Sequence, residues 1–119
     1  DLQYGNTLEE REQAKEAIGA EVCRVENIDT HQDIDGLAAL ISACDAVVTV
    51  SNTTAHLAAA LGKKVLLLLP YSQGSLWYWH AEREDSPWYP AVKLFRQPAV
   101  GDWNSVIRRV AAELERLVP

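Results

Sequence analysis

The sequence predicts a single α/β domain with a doubly wound parallel sheet of about five strands. Three observations carry this reading. Short apolar runs alternate with stretches of helical period, the arrangement that β-α-β units require. Two of those runs, Ala46–Val50 and Val65–Leu69, are apolar almost without interruption, as expected of strands covered on both faces. The chain has 119 residues, of which 48% are hydrophobic, enough for one continuous core.

Each element follows in order. Leu2-Gln3-Tyr4 reads as a first short strand and Gly5-Asn6 as its turn. Thr7-Leu8-Glu9-Glu10 has the spacing of a capping box, in which Thr7 and Glu10 would satisfy each other's amides. Leu8, Ala14, Ala17 and Ile18 would form the apolar face of the helix that follows, with Gly19 as its left-handed cap. Glu21–Val25 is the second expected strand. Asp33 is placed to cap a helix patterned by Ile34, Leu37, Ala38 and Ile41 up to Cys44. Ala46–Val50 is the third strand, and Ala55–Leu61 is a small-residue helix opened by Asn52-Thr53-Thr54 and closed by Gly62. Val65–Leu69 is the fourth strand, stopped by Pro70.

The segment from Tyr71 to Pro90 breaks the rhythm with Gly74, Pro87 and Pro90. A loop of this length in a compact domain is commonly functional, and its aromatic content argues for order. Val92–Phe95 is a fifth short strand. Gly101-Asp102 then caps a last helix striped by Trp103, Val106, Ile107, Val110, Ala111, Leu114 and Leu117, with Trp103 as its expected anchor.

Composition narrows the function. A net charge of −6, with basic residues scattered, provides no footprint for a nucleic-acid backbone. No apolar stretch approaches the roughly 20 residues of a membrane helix. Cys23 and Cys44 lack metal-ligand spacing and read as small core residues, which suits a reducing cytoplasm. A start within an apparent strand suggests an excised piece of a longer chain.

Ligands of doubly wound sheets bind beyond the carboxyl ends of the strands, where strand order reverses. With an expected order of 2-1-3-4-5, Tyr4-Gly5-Asn6 and Ser51-Asn52-Thr53-Thr54 would face one crevice. The second segment opens a helix whose amides and dipole suit an anion, although these residues serve equally well as a plain helix cap. Neither GxGxxG nor a Walker lysine motif is present. His56 lies one turn into the same helix. Tyr71, Trp77, Tyr78 and Trp79 offer flat faces for a base or a sugar, or for packing against another domain. Trp88 and Tyr89, between two prolines, read as a rigid buttress. Asp33, Asp35, Glu82, Glu84 and Asp85 read as solvated charge, and no metal site is expected.

The block from Ser51 to Gly62, with His56-Leu57-Ala58 and Ala60-Leu61-Gly62, resembles the D-T-x-x-x-H-L-A-x-A-L-G motif of the heptosyltransferase family, which has the GT-B fold. Ser51 and Asn52 stand where that family has Asp-Thr. Leu2–Gly5, Asp35–Ile41, Arg83–Pro90 and Leu94–Gln97 are similar to the C-terminal, glycosyltransferase-like region of bacterial tetratricopeptide-repeat proteins. The resemblance implies the Rossmann-like C-terminal half of a GT-B fold over residues 1–119. That half grips a nucleotide-diphosphate sugar as donor substrate, without a further cofactor. Its binding residues would be Gln3, Tyr4, Gly5, Ser51, Asn52, Thr53, Thr54, His56, Tyr71 and Trp77. An upstream N-terminal half and tetratricopeptide repeats would supply the acceptor and the catalytic base, leaving this part inactive alone. Two alternatives stay open. One is a non-catalytic scaffold that engages other proteins through the aromatic loop. The other is a sugar-nucleotide epimerase, which would need catalytic carboxylates not identifiable here.

Overall fold

In the computed structural model, residues 1–71 and 76–117 are described, so the expected turn glycine Gly74 lies outside them. The chain divides into two compact units, Asp1–Ala43 and Cys44–Pro119. Among the described residues no helix is long and apolar enough to cross a membrane.

The first unit contains α1 (Leu8–Ile18) and α2 (Ile34–Ala43). Gly19 takes the left-handed conformation at φ 68° and its amide returns to the Lys15 carbonyl, ending α1 as glycine at this position should. Asp33 caps α2 by accepting the Gly36 amide at 2.8 Å. Leu37 and Ile41, four apart on α2, are both buried.

Five expectations for this unit fail. Leu2–Tyr4 and Glu21–Val25 are not strands. The Gln3 amide is taken by the Asp1 carboxylate and the Gln3 carbonyl by the Thr30 hydroxyl, so side chains satisfy groups that a ladder would have used. Thr7 and Glu10 form no capping box. The Thr7 hydroxyl donates to the Asp1 carboxylate and accepts from Arg24, while Asn6 Oδ1 takes the Leu8 amide. The expected apolar face of α1 is not buried, since two alanines and two end residues give it little to bury. Cys23 is exposed, which removes it from the core.

The second unit holds the parallel sheet. Its strands are β1 (Ala46–Val50), β2 (Lys64–Leu69) and β3 (Val92–Arg96), in the order β1-β2-β3. Val47 pairs with Val65 and Val65 with Val92, all parallel. These are the last three expected strands in the expected sequence. Among the described residues the sheet has three strands rather than five and no reversal of order. Between them run α3 (Thr53–Ala60) and, after β3, α4 (Trp103–Leu117).

β2 is central, and every residue from Val65 to Leu69 is buried. Leu66 and Leu68 share a face with Phe95, and Val106 and Val110 of α4 close over them, with Leu114 and Leu117 packed alongside. By register Val48 and Val50 belong to that same face, yet both are exposed. α4 lies against β3, which leaves β1 uncovered there and corrects the expectation of a strand covered on both sides. Ala55, Ala58 and Ala59 are the buried residues of α3, small enough for close approach of the helix to β1 and β2. Asp102 caps α4 through the Ser105 amide at 3.0 Å. Trp103, expected as the anchor of α4, is exposed, and Val106 and Val110 are the buried residues of that helix.

Candidate functional site

The turn from β1 into α3 is the natural starting point, because it joins the carboxyl end of a parallel strand to a helix N-terminus. Asn52 is extended (φ −157°), and its Oδ1 accepts the Ala55 amide at 3.0 Å. Its amide also reaches the Thr49 hydroxyl at 3.1 Å. The side chain of Asn52 therefore caps the helix, the plainer of its two expected roles. Thr53 and Thr54 form the first turn, where helical amides lack intrahelical partners and the dipole favours negative charge.

Over this turn sits an aromatic cluster. Trp77–Trp79 forms a short 3-10 turn whose third residue, Trp79, is buried. The Trp79 indole N–H donates to Ser51 Oγ at 2.8 Å, which gives the buried nitrogen the partner that it needs. The Trp79 ring stacks on His56, with centroids 5.0 Å apart and planes at 23°. Tyr78 and Tyr89 approach the same imidazole edge-on at 5.4 Å and 5.8 Å. The Tyr89 hydroxyl is hydrogen-bonded to His56 Nδ1 at 3.1 Å. His56 is thus enclosed on several sides by residues from the loop.

The loop is tied to the far strand as well. Arg96, at the end of β3, donates to the carbonyls of Trp79 and His80, and burial pulls its guanidinium below its ordinary pKa. His80 has φ 53°, unusual for a residue with a side chain, and turns the backbone so that these carbonyls face the arginine. Trp79 therefore spans the carboxyl edge of the sheet, from Ser51 after β1 to Arg96 at the end of β3. Tyr71, just past β2, gives its amide to Gln97 Oε1 at 3.0 Å.

Of the residues expected to bind ligand, Ser51, Asn52, Thr53, Thr54 and His56 lie together on this turn. Tyr71 and Trp77 belong to the same unit but are exposed. Gln3, Tyr4 and Gly5 belong to the first unit, where the Tyr4 ring lies 4.9 Å from that of His31 and Gly5 has φ 84°. Tyr89, expected as a buttress, is a direct partner of His56. Trp88 is exposed, with its indole N–H on the Tyr78 carbonyl at 3.2 Å. Arg96 was missed because one arginine ending a short strand has no distinguishing pattern in sequence.

Asp85 is solvated and bridged by Arg83 at 2.8 Å, which holds its carboxyl below the ordinary range. Among the described residues no group of three or more His, Cys, Asp or Glu is placed to hold a metal ion.

Comparison with known proteins agrees with the motif. The model of Glycosyltransferase family 9 (heptosyltransferase) matches residues 2–96, including the whole β1-α3 turn. The chain is similar to protein FlbA of Caulobacter vibrioides, 39% identical over 113 residues, which is 95% of this chain and 18% of that protein. It thus spans less than a fifth of that relative's length. No solved structure matches the chain.

Proposed function

Given that the chain belongs to glycosyltransferase family 9, we propose that it is the donor-binding, C-terminal part of a glycosyltransferase-like protein and does not catalyse transfer by itself. The observation that carries this reading is the β1-α3 turn: a parallel strand runs directly into a helix N-terminus at Asn52, with Thr53 and Thr54 beside it. A diphosphate placed there meets free amides, the positive end of the helix dipole and two hydroxyls. The aromatic cluster behind it provides the wall for the nucleoside or sugar. Acceptor binding and the catalytic base belong to an N-terminal GT-B half, with tetratricopeptide repeats, in a longer cytoplasmic chain.

The test is calorimetric titration with UDP, ADP and GDP, repeated on Asn52→Asp. Aspartate caps a helix as well as asparagine does, but sets a carboxylate against the incoming phosphate. Saturable binding of one nucleotide, weakened about tenfold by the substitution, is the expected result. Binding that ignores the substitution, or no binding at all, counts against the donor site.

A specific observation favours a second reading. Ser51 and His56, the most chemically useful residues of the turn, are both engaged by loop residues. A site closed in this way suits a scaffold that has given up its donor. If Trp79→Ala, which opens the edge, still fails to bind any of the three nucleotides, the scaffold reading stands.

A further inference from the structure

The loop around Trp77–Trp79 divides its aromatic side chains between two sides. Trp79 is 1% exposed, whereas Trp77 and Trp88 are 75% and 57% exposed and meet each other in a corner. Their ring centroids are 6.4 Å apart and their planes stand at 85°. Neither ring hangs freely in water. Trp77 opens the 3-10 turn that the buried Trp79 anchors, and its ring meets Tyr78 edge-on at 5.6 Å. Trp88 is held through its indole N–H to the Tyr78 carbonyl and through its backbone amide to Ser86 Oγ, each at 3.2 Å. Ser86, itself buried, also accepts the Tyr89 amide. Two large flat groups are therefore held at a right angle, facing solvent. Leaving such area in water forgoes stabilisation that burial would provide, and patches of this kind commonly mark binding sites.

The size of the patch decides what fits it. Side chains as large as tryptophan, exposed to this extent, present together on the order of 300 Å². A stable protein interface needs about 800 Å² from each partner. The corner matches one ring-sized ligand instead.

We propose that Trp77 and Trp88 form a docking corner for a single pyranose ring of a glycan. The C–H face of the sugar lies on one indole and its edge meets the other. Aliphatic C–H groups carry slight positive charge and are attracted to the electron-rich ring face. With its N–H already committed to Tyr78, Trp88 offers a face rather than a hydrogen bond. That suits a sugar whose hydroxyls stay turned to water. The subsite is distinct from the α3 N-terminus, and it draws on the glycosyltransferase reading only in choosing a sugar over another ring.

The experiment uses the chain labelled with 5-fluorotryptophan, whose four resonances are assigned by replacing each tryptophan with phenylalanine in turn. The probes are the methyl β-glycosides of glucose, galactose and N-acetylglucosamine, with uridine as the competing ring. At least one glycoside is expected to shift the Trp77 and Trp88 resonances saturably, with weak millimolar affinity, leaving Trp79 and Trp103 in place. Trp77→Ala and Trp88→Ala are each expected to weaken that binding at least about tenfold with the fold retained. Three results would overturn the proposal: no saturable shift of Trp77 and Trp88 with any glycoside, an equal shift of the exposed Trp103, or a response to uridine alone. Nucleotide titration reads α3 separately, so either site can fail without the other.

Discussion

The two units of this chain are held by different forces. In the first, the contacts around α1 are polar, although α2 buries Leu37 and Ile41: the Asp1 carboxylate gathers Thr7, Arg11 and Arg24, and Arg11 reaches Glu26 at 3.3 Å. α1 has no buried residue at all. In the second, an almost wholly apolar strand, β2, is buried between two neighbours, and α4 closes over it. The contrast shows that a periodic pattern specifies an element, whereas continuous burial specifies what that element pairs with. Polar networks resist disturbance only while every member keeps its partner.

The sharpest way to break this comparison is to cut one apolar side chain from each unit. Leu67→Ala removes a fully buried residue from the middle of β2 and should cost about 2–5 kcal/mol in urea unfolding. Ile18→Ser, at the exposed end of α1, should change stability by no more than about 0.5 kcal/mol. Equal losses would mean that α1 contributes packing that its exposure denies.

Thr7→Val tests the polar side. The hydroxyl of Thr7 is buried between Asp1 and Arg24, so its loss leaves charged groups short of a partner at a cost of about 1–3 kcal/mol. Hydrogen exchange should show faster opening of α1 amides, with the amides of β2 unchanged. Faster exchange spread evenly through both units would contradict their separate stabilisation.

Legibility from sequence follows the same division. β2 was readable because five consecutive apolar residues suit little else than a covered strand, and α4 because Val106 and Val110 recur on one face. Residues 2–4 and 21–25 look like strands by alternation, but alternation does not say where the backbone bonds go. Here Asp1 and Thr30 take those of Gln3. At the candidate site, His56 and its turn stood out through the local motif. Its closest partners did not, since Tyr89 lies 33 residues further on and is brought back by a loop whose path no local pattern encodes. The division of the tryptophans into a buried anchor and an exposed corner was equally hidden. Trp77 and Trp79 are two residues apart in one turn and differ only in which side they face.

Within the second unit, the bond between the Trp79 indole and Ser51 can be separated from the stacking around it. Trp79→Phe keeps a flat ring against His56 but removes the N–H, and should cost about 1 kcal/mol beyond the change in ring size. Adding Ser51→Ala should recover part of that loss in a double-mutant cycle, because neither group is then left without its partner. A coupling of zero would show that Trp79 is held by packing alone.

The smallest expected effect concerns the rim of α4. Lys93 Nζ lies 2.8 Å from Glu113, and this bond, with Arg116 nearby, holds the Glu113 carboxyl below its ordinary range. The folded chain then binds that proton less tightly than the unfolded chain. The pair accordingly stabilises the fold above the ordinary glutamate range, and loses that contribution as pH falls through the lowered value. Glu113→Gln should be slightly less stable than the parent chain near neutral pH, and the two melting curves should converge in acid. Because the pair is partly open to solvent, the gap at neutral pH should also narrow as salt is added. A gap that persists unchanged in acid and in salt would assign Glu113 to packing against β3 rather than to its charge, placing this rim with the apolar interior rather than with the polar contacts of the first unit.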